Sequence, residues 1–270
     1  MKAGLILCGP DVAYGPLALL EGTFEEKAVK AAELGYDGIE LMVRDPAGLD
    51  WPHVKNTLHR AGLEVPQIVT GELFGADGLC LVTADGDLYQ RAEARTRSVI
   101  DMAAYMGAMV NIGRLRGQLQ LLGEVADPWG IAVDRLRRVI DYAAAQDVRI
   151  TMEPINRYET DFILNAEDGM RLVEALGCDN FGLMLDVFHM NIEDTSIEGG
   201  LRQTGDRLWH VHIADSNRQY PGRGHLDFDS IFATLNEIGY RGYVSAEMLP
   251  RPDGDTAAVK TIEFLRGRYL

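Results

Sequence analysis

The sequence predicts a single closed (β/α)8 barrel, the TIM-barrel architecture, over residues 1–270. Two observations favour this fold. The length of 270 residues is close to that of one complete barrel, about 250 residues. Eight short apolar segments also alternate with amphipathic helical stretches from one end of the chain to the other. Such alternation is typical of parallel strands that are covered by helices.

An open doubly wound sheet is the alternative arrangement of the same elements. Its commonest functions need a glycine-rich nucleotide-binding loop. Neither a GxGxxG motif nor a GxxxxGK-Ser/Thr motif occurs in the chain, and no linker or low-complexity tract divides it. The closed barrel is therefore the preferred prediction.

The eight predicted strands are short, and most are apolar on both faces, as buried parallel strands are. They span residues 3–7, 38–43, 67–70, 109–112, 149–153, 182–186, 210–213 and 243–247. Between them, Thr23 and Glu26 form a capping box, and Asp50 precedes an early proline, Pro52, at a second helix start. Further helices are predicted over residues 87–106, 127–146, 165–177 and 227–239. The longest irregular stretch is predicted at 71–86, and a loop of that length is often functional.

Composition limits the classes of function. The formal net charge of −15 would on average repel a polyanion, so nucleic-acid binding is disfavoured. No apolar run approaches the ~20 residues that a membrane span needs, and the apolar stretch in residues 1–8 is too short for a signal peptide. Three scattered cysteines, Cys8, Cys80 and Cys178, fit neither a disulfide framework nor a CxxC site. We therefore expect a protein of the reducing cytoplasm.

Four potential metal ligands occur at the ends of the last four predicted strands. Glu153, Asp186 and Glu247 are terminal residues, and His212 lies late in its strand; successive members are 33, 26 and 35 residues apart. Each spacing is about one strand–helix unit, so all four side chains should converge at the C-terminal rim of the barrel. A single carboxylate after a strand is commonly a helix cap, and a single histidine is commonly packed in the core. Burying three carboxylates together without a cation would be costly, which favours a shared metal site.

Three carboxylates and one imidazole suit Mn2+, Mg2+ or Co2+ better than a sulfur-seeking metal. A bound metal would polarise a ketone and stabilise an enediolate while an α-proton leaves. Glu153 and Glu247 come from opposite flanks of the cluster. One could remove a proton from one face of the substrate while the other returns it to the opposite face, which inverts a carbon next to a carbonyl.

Long motifs around these residues resemble the D-tagatose 3-epimerase group of the xylose-isomerase-like barrels. The motifs occupy residues 153–162, 186–193, 210–218 and 221–228. The resemblance implies that Glu153, Asp186, His212 and Glu247 bind Mn2+ and that the two glutamates are the acid–base pair. It also implies a small-molecule keto-sugar substrate and a homo-oligomer. By the same motifs, the oxygens of the substrate would be contacted by Glu159, His189 and Arg218.

Earlier segments are similar to a narrower branch, 5-keto-L-gluconate epimerase. They lie at residues 43–46, 77–83 and 112–117. The charges of nearby residues also favour an anionic substrate. Arg44 and Arg114 follow the second and fourth strands at the rim, and a guanidinium suits a carboxylate or phosphate. Arg116 and Arg223 are nearby. These arginines could instead pair with rim acids such as Asp77, and neutral ketoses and sugar phosphates stay open as substrates.

Three competing functions use the same fold. An aldose–ketose or hydroxypyruvate-type isomerase would share the metal site and differ only in its product. A DNA-repair endonuclease of the related barrels would need a histidine-rich site for several metals, and the chain has only six histidines. A non-catalytic sugar-binding barrel would have no need of an intact acid–base pair.

Overall fold

Eight parallel strands close into one barrel, in which each strand pairs with its neighbours in chain order and β1 pairs with β8. The computed structural model describes residues 1–270. Every predicted strand is present, and each boundary lies within two residues of its predicted position. The strands are β1 Lys2–Cys8, β2 Gly38–Met42, β3 Gln67–Val69, β4 Met109–Ile112, β5 Ile150–Met152, β6 Phe181–Asp186, β7 Leu208–Ile213 and β8 Tyr243–Ala246.

Ten α-helices surround the barrel. They are α1 Phe24–Glu33, α2 Trp51–Ala61, α3 Gly71–Gly75, α4 Gly86–Met106, α5 Pro128–Ala144, α6 Ala166–Leu176, α7 Val187–Glu193, α8 Ile197–Thr204, α9 Phe228–Glu237 and α10 Gly254–Arg268. The capping box at Thr23 and Glu26 is confirmed, and so is the cap at Asp50, whose side chain accepts from the backbone of His53. None of the helices combines the length and apolar character needed to cross a membrane.

Two regions differ from the sequence prediction. The stretch at 71–86 is not wholly irregular, because its first five residues form α3. The connection from β6 to β7 contains two helices, α7 and α8, that are not among the predicted helices. Asp186 is both the last residue of β6 and the N-cap of α7, so strand and helix adjoin with no intervening turn residue to mark the boundary.

The barrel interior is not uniformly apolar. The main core is a cluster of 67 buried hydrophobic residues, and a smaller apolar group lines the inside of β1–β3 near the C-terminal rim. Between these groups, charged and polar side chains are buried within the barrel. They include Glu40, Gln67, Thr151, His210 and Ser245. A polar interior of this kind needs internal hydrogen-bond partners, because an unpaired buried polar group is costly.

Candidate active site

A cavity of about 150 Å³ opens at the C-terminal rim of the barrel. Seven of the predicted site residues line it, namely Arg114, Glu153, Glu159, His189, His212, Arg218 and Glu247. A wider cleft of about 850 Å³ lies at the opposite end, between the helices, and none of the predicted site residues lines it. The rim cavity is the candidate site because barrel enzymes carry out their chemistry at the C-terminal ends of the strands.

The four predicted metal ligands lie close together. Carboxylate oxygens of Glu153, Asp186 and Glu247 are all within 4.8 Å of one another. His212 Nδ1 is 3.6 Å from Glu247 Oε2 and 4.0 Å from Glu153 Oε1. Two ligands that each lie about 2.2 Å from one ion are separated by roughly 3–4 Å, and the two distances from His212 Nδ1 fall within that range.

The unpaired atoms of the cluster provide an independent test of that fit. Glu153 Oε1, Asp186 Oδ2 and His212 Nδ1 are buried and have no hydrogen-bond partner. Leaving a buried polar atom unpaired costs about 1–3 kcal/mol, and here three such atoms belong to neighbouring side chains. Two oxygens and one imidazole nitrogen form a donor set for a hard or borderline divalent cation. The residues present therefore fit a metal.

Asp186 shows how the local fold presents one of these atoms. Its Oδ1 accepts from the backbone N–H of Phe188 at 2.9 Å and so caps α7. Its Oδ2 remains free on the side of the cluster. Asp186 can therefore cap α7 through Oδ1 and still offer Oδ2 to a metal.

His189 also lies in the cluster, with Nε2 at 3.7 Å from both Glu153 Oε1 and Asp186 Oδ2. The amide of Asn156 contacts His189 Nδ1 at 2.7 Å. If the amide nitrogen donates there, as the hydrogen bond from Tyr158 N–H to Asn156 Oδ1 requires, the ring carries its hydrogen on Nε2. Burial and the charge of Arg218 lower the pKa of His189 to about 3. His189 is therefore a neutral imidazole whose Nε2 faces the cluster, and it belongs to the same group of potential ligands as Glu153, Asp186 and Glu247.

Arg218 joins the cluster to the rim. It has a left-handed backbone, with φ of 58°, which is uncommon for a residue other than glycine and typical of strained positions at functional sites. Its Nη2 donates to Glu247 Oε2 at 2.8 Å and its Nη1 to Glu159 Oε1 at 3.3 Å. The predicted group Glu159, His189 and Arg218 thus lies around one side of the cavity.

The two predicted acid–base residues have opposite shifts in pKa in the metal-free protein. Burial and the negative charge of Glu247 raise the pKa of Glu153 well above its ordinary value. Burial opposes ionisation of Glu247, but the neighbouring charges of His212 and Arg218 lower its pKa below the usual range. Burial and Glu247 also raise the pKa of Asp186 to about 7. Such a divergence is typical of paired acid and base groups.

The arginines at the rim differ in position and in the groups that they contact. Arg114 lines the cavity, stacks on Phe74 at 4.7 Å and has its side chain 43% exposed. Arg44 does not line the cavity and pairs with Asp77 at 2.6 Å, so its predicted substrate contact stays a prediction. Arg116 is fully buried and donates to the backbone carbonyls of Glu153 and Ile163. The guanidinium of Arg116 is therefore engaged within the protein.

Glu40 and Asn156 are site residues that sequence reasoning missed. Glu40 lies in the middle of β2, is fully buried, and contacts His212 Nε2 with both oxygens, at 2.9 and 3.0 Å. A single glutamate inside an otherwise apolar strand was the signal available for it. Asn156 lies within a motif that the sequence analysis used, but nothing in the pattern indicated its contact with His189.

Fold and site together define a barrel enzyme whose carboxylates and histidine converge at the C-terminal rim. The chain belongs to the xylose isomerase-like TIM barrel family, whose sequence profile matches residues 28–268. The predicted architecture and the predicted family resemblance are both confirmed.

Known relatives narrow the class further. The chain is 30% identical to L-ribulose 3-epimerase of Methylomonas sp. (strain DH-1) over 263 residues, covering 88% of this chain and 89% of the relative. It is 30% identical to ketose 3-epimerase of Arthrobacter globiformis over 220 residues, covering 81% and 75%. A crystal structure of D-allulose 3-epimerase from Methylomonas sp. in complex with D-allulose superposes with a TM-score of 0.80 at 26% identity, covering 100% and 97%. The chain is thus an isomerase-class enzyme, and its relatives support sugar epimerase activity.

Proposed function

We propose that this protein is a divalent-metal-dependent epimerase that inverts the carbon next to the keto group of a ketose or keto-sugar acid. One observation carries the proposal: carboxylates from two strands, Glu153 after β5 and Glu247 after β8, border the same cavity and the same set of unpaired ligand atoms. An epimerase needs two proton-transfer groups at one carbon, and this pair meets that need.

Glu153, Asp186, His212 and Glu247 would hold the cation. Their oxygen-rich donor set suits Mn2+, Mg2+ or Co2+, and the resemblance to the D-tagatose 3-epimerase group favours Mn2+. A cation bound there supplies positive charge that polarises the keto group and stabilises the enediolate. The cation also offsets the repulsion among three buried carboxylates.

The proton transfers are assigned to the two glutamates. One carboxylate takes the proton from the carbon next to the keto group, and the electron pair of the broken C–H bond passes into the enediolate. The other glutamate, in its acid form, gives a proton to the opposite face of the same carbon, and the keto group forms again. The roles of the two glutamates exchange in the reverse direction.

The remaining predicted residues are assigned to substrate oxygens. His189 donates from Nε2–H, and Glu159 accepts from a hydroxyl group at the rim. Arg218 already donates to both Glu159 and Glu247. In that position it can orient the catalytic carboxylate while its remaining N–H groups contact the substrate.

An aldose–ketose isomerase, including the hydroxypyruvate type, is the second candidate, because the same site can move a carbonyl. Turnover in D2O with Mn2+ distinguishes the two, since deuterium enters the substrate in both cases but the products differ. We expect NMR of a ketose and keto-acid panel to show inversion of a deuterated centre next to an unmoved keto group. A product whose carbonyl has moved to the neighbouring carbon would contradict the epimerase assignment.

We further propose a keto-sugar acid of the 5-keto-L-gluconate type as the preferred substrate. The similarity of residues 43–46, 77–83 and 112–117 to that branch motivates it, and the exposed guanidinium of Arg114 at the cavity supports it. Glu72 also lines the cavity, and burial raises the pKa of its carboxyl. We also propose that Arg44, at the outer rim, contacts the carboxylate of the substrate.

Arg114→Ala tests this preference. A hydrogen bond to a charged group contributes about 1.5–3 kcal/mol, so KM for the keto-acid should rise roughly 10–100-fold, while KM for a neutral ketose changes less than about threefold. Steady-state kinetics on both substrates measures the difference. Arg223→Ala is the matched control, because Arg223 is exposed and does not line the cavity. Equal effects of Arg114→Ala on both substrates would contradict the keto-acid preference.

We also propose the partners of this protein and its location in the cell. The partner is a small keto-sugar or keto-sugar acid, and a homo-oligomer is expected from the family resemblance. Nucleic acid is not proposed as a partner because the net charge is −15, which would repel a polyanion. The cytoplasm is proposed as the location because all three cysteines are free, as is usual in a reducing compartment.

A further inference from the structure

Glu40 is the centre of a buried polar network beneath the candidate metal site. Its carboxylate is fully buried and is contacted by three nitrogen donors. His210 Nε2 is 2.7 Å from Oε1, Gln67 Nε2 is 2.6 Å from Oε2, and His212 Nε2 lies between the oxygens at 2.9 and 3.0 Å. Of these donors, only His212 also faces the metal cluster.

The two nitrogens of His212 therefore face two different environments. Nε2 points at a carboxylate, and Nδ1 points at Glu153 Oε1 and Glu247 Oε2 and has no hydrogen-bond partner of its own. A carboxylate only accepts hydrogen bonds. Glu40 therefore favours a hydrogen on Nε2, and the form of the ring that can bind a metal then has its lone pair on Nδ1.

We propose that Glu40 is a positioning residue that fixes His212 in the Nε2–H form and aims its Nδ1 lone pair into the metal site. The proposal rests on the metal-dependent function proposed above. Carboxylates that accept from a ligating imidazole orient the ring and raise its basicity, and their loss typically weakens metal affinity 10–100-fold.

The same atoms allow another interpretation, in which Glu40, His210 and His212 themselves hold a cation. The hydrogen bond from Gln67 argues against it. The amide orientation of Gln67 is set by Thr151, whose hydroxyl donates to Gln67 Oε1 at 3.0 Å, so an N–H group points at Glu40 Oε2. Two imidazoles and one amide already satisfy the carboxylate, at distances typical of hydrogen bonds.

Glu40→Gln tests the role, because an amide keeps the shape of the side chain but can present N–H to His212 Nε2. The Mn2+ dissociation constant of the full-length protein, measured by EPR with Mn2+ alone, should rise about 10–100-fold. Turnover should be largely restored at saturating Mn2+. Glu40→Asp retains the carboxylate and should weaken binding less than Glu40→Gln.

Gln67→Met is the matched control. It removes another donor from the same buried carboxylate without touching His212, so it should lower thermal stability but leave the Mn2+ dissociation constant within about threefold of wild type. An unchanged constant in Glu40→Gln, or an equal rise in both variants, would overturn the positioning role. A wild-type protein that binds two Mn2+, one of which is lost in Glu40→Gln, would overturn it as well and assign Glu40 to a second site.

A measurement on the wild type covers the case in which Glu40→Gln does not fold. In the Mg2+-loaded, diamagnetic protein, histidine-selective 15N NMR should show His212 with its hydrogen on Nε2. A hydrogen on Nδ1 would overturn the proposal. Failure of the wild type to bind Mn2+ or Mg2+ at all would overturn the proposed function together with this inference, whereas normal wild-type binding with an unaffected variant overturns only the role of Glu40.

Discussion

Glu247→Gln is expected to lower kcat by roughly 10³-fold or more while the barrel stays folded. General acid–base catalysis contributes about 10²–10⁴-fold, and Glu247 is proposed to be a metal ligand as well. The amide has nearly the same shape, and its oxygen can still accept from Arg218, which now donates to Glu247 Oε2 at 2.8 Å. Turnover followed by NMR, with circular dichroism to verify folding, measures both parts of the prediction.

Glu159→Gln provides the comparison for that loss. It is the same chemical change at a second cavity residue that also accepts from Arg218, but Glu159 has no proposed part in proton transfer. Its main effect should be a higher KM. Near wild-type turnover in Glu247→Gln, or an equal loss of kcat in the two variants, would remove Glu247 from its assigned role.

Removal of the metal has the second large expected effect. Dialysis against EDTA should abolish turnover, and added Mn2+ should restore it. The same cation should stabilise the fold, since a ligand at 100 times its Kd contributes about 2.7 kcal/mol. For a chain of this size that corresponds to a rise in Tm of roughly 5–10 °C. Full activity after exhaustive chelation, verified by elemental analysis, would contradict the metal-dependent function.

The stabilisation of the fold by the metal should also depend on pH. The raised pKa of Asp186 determines whether that stabilisation increases or decreases as the pH rises. Its pKa is raised from 3.8 to about 7 in the metal-free fold. Protonated Asp186 therefore favours the metal-free fold at low pH, and that contribution is lost as pH rises towards 7. A cation needs the ionised carboxylate. The Tm difference between Mn2+-loaded and metal-free protein should thus widen from pH 5 to pH 8, and thermal scans at several pH values measure it.

The fold and the centre of the site could be predicted because both follow from periodic features of the chain. Apolar segments at regular spacing indicated the strands, and the residue at the end of each parallel strand must lie at one rim. This geometry allowed Glu153, Asp186, His212 and Glu247 to be grouped although 94 residues separate the first from the last. His189, Glu159 and Arg218 required the family resemblance, because no spacing rule places them.

The remaining features depend on contacts that no local pattern encodes. Arg44 and Arg114 look alike in the sequence, yet Arg44 pairs with Asp77 away from the cavity, whereas Arg114 lines the cavity and lies 3.9 Å from Glu159. Arg116 is turned inward onto backbone carbonyls. Glu40 reaches His212 only because the barrel is closed, with β2 and β7 on different parts of its wall.

A crystal structure of the protein soaked in Mn2+, with anomalous diffraction data collected above the manganese edge, tests the central claim most directly. The account predicts one strong anomalous peak per chain, about 2.0–2.3 Å from the carboxylates of Glu153, Asp186 and Glu247 and from His212 Nδ1. A peak between Glu40, His210 and His212, or no peak at the C-terminal rim, would contradict it.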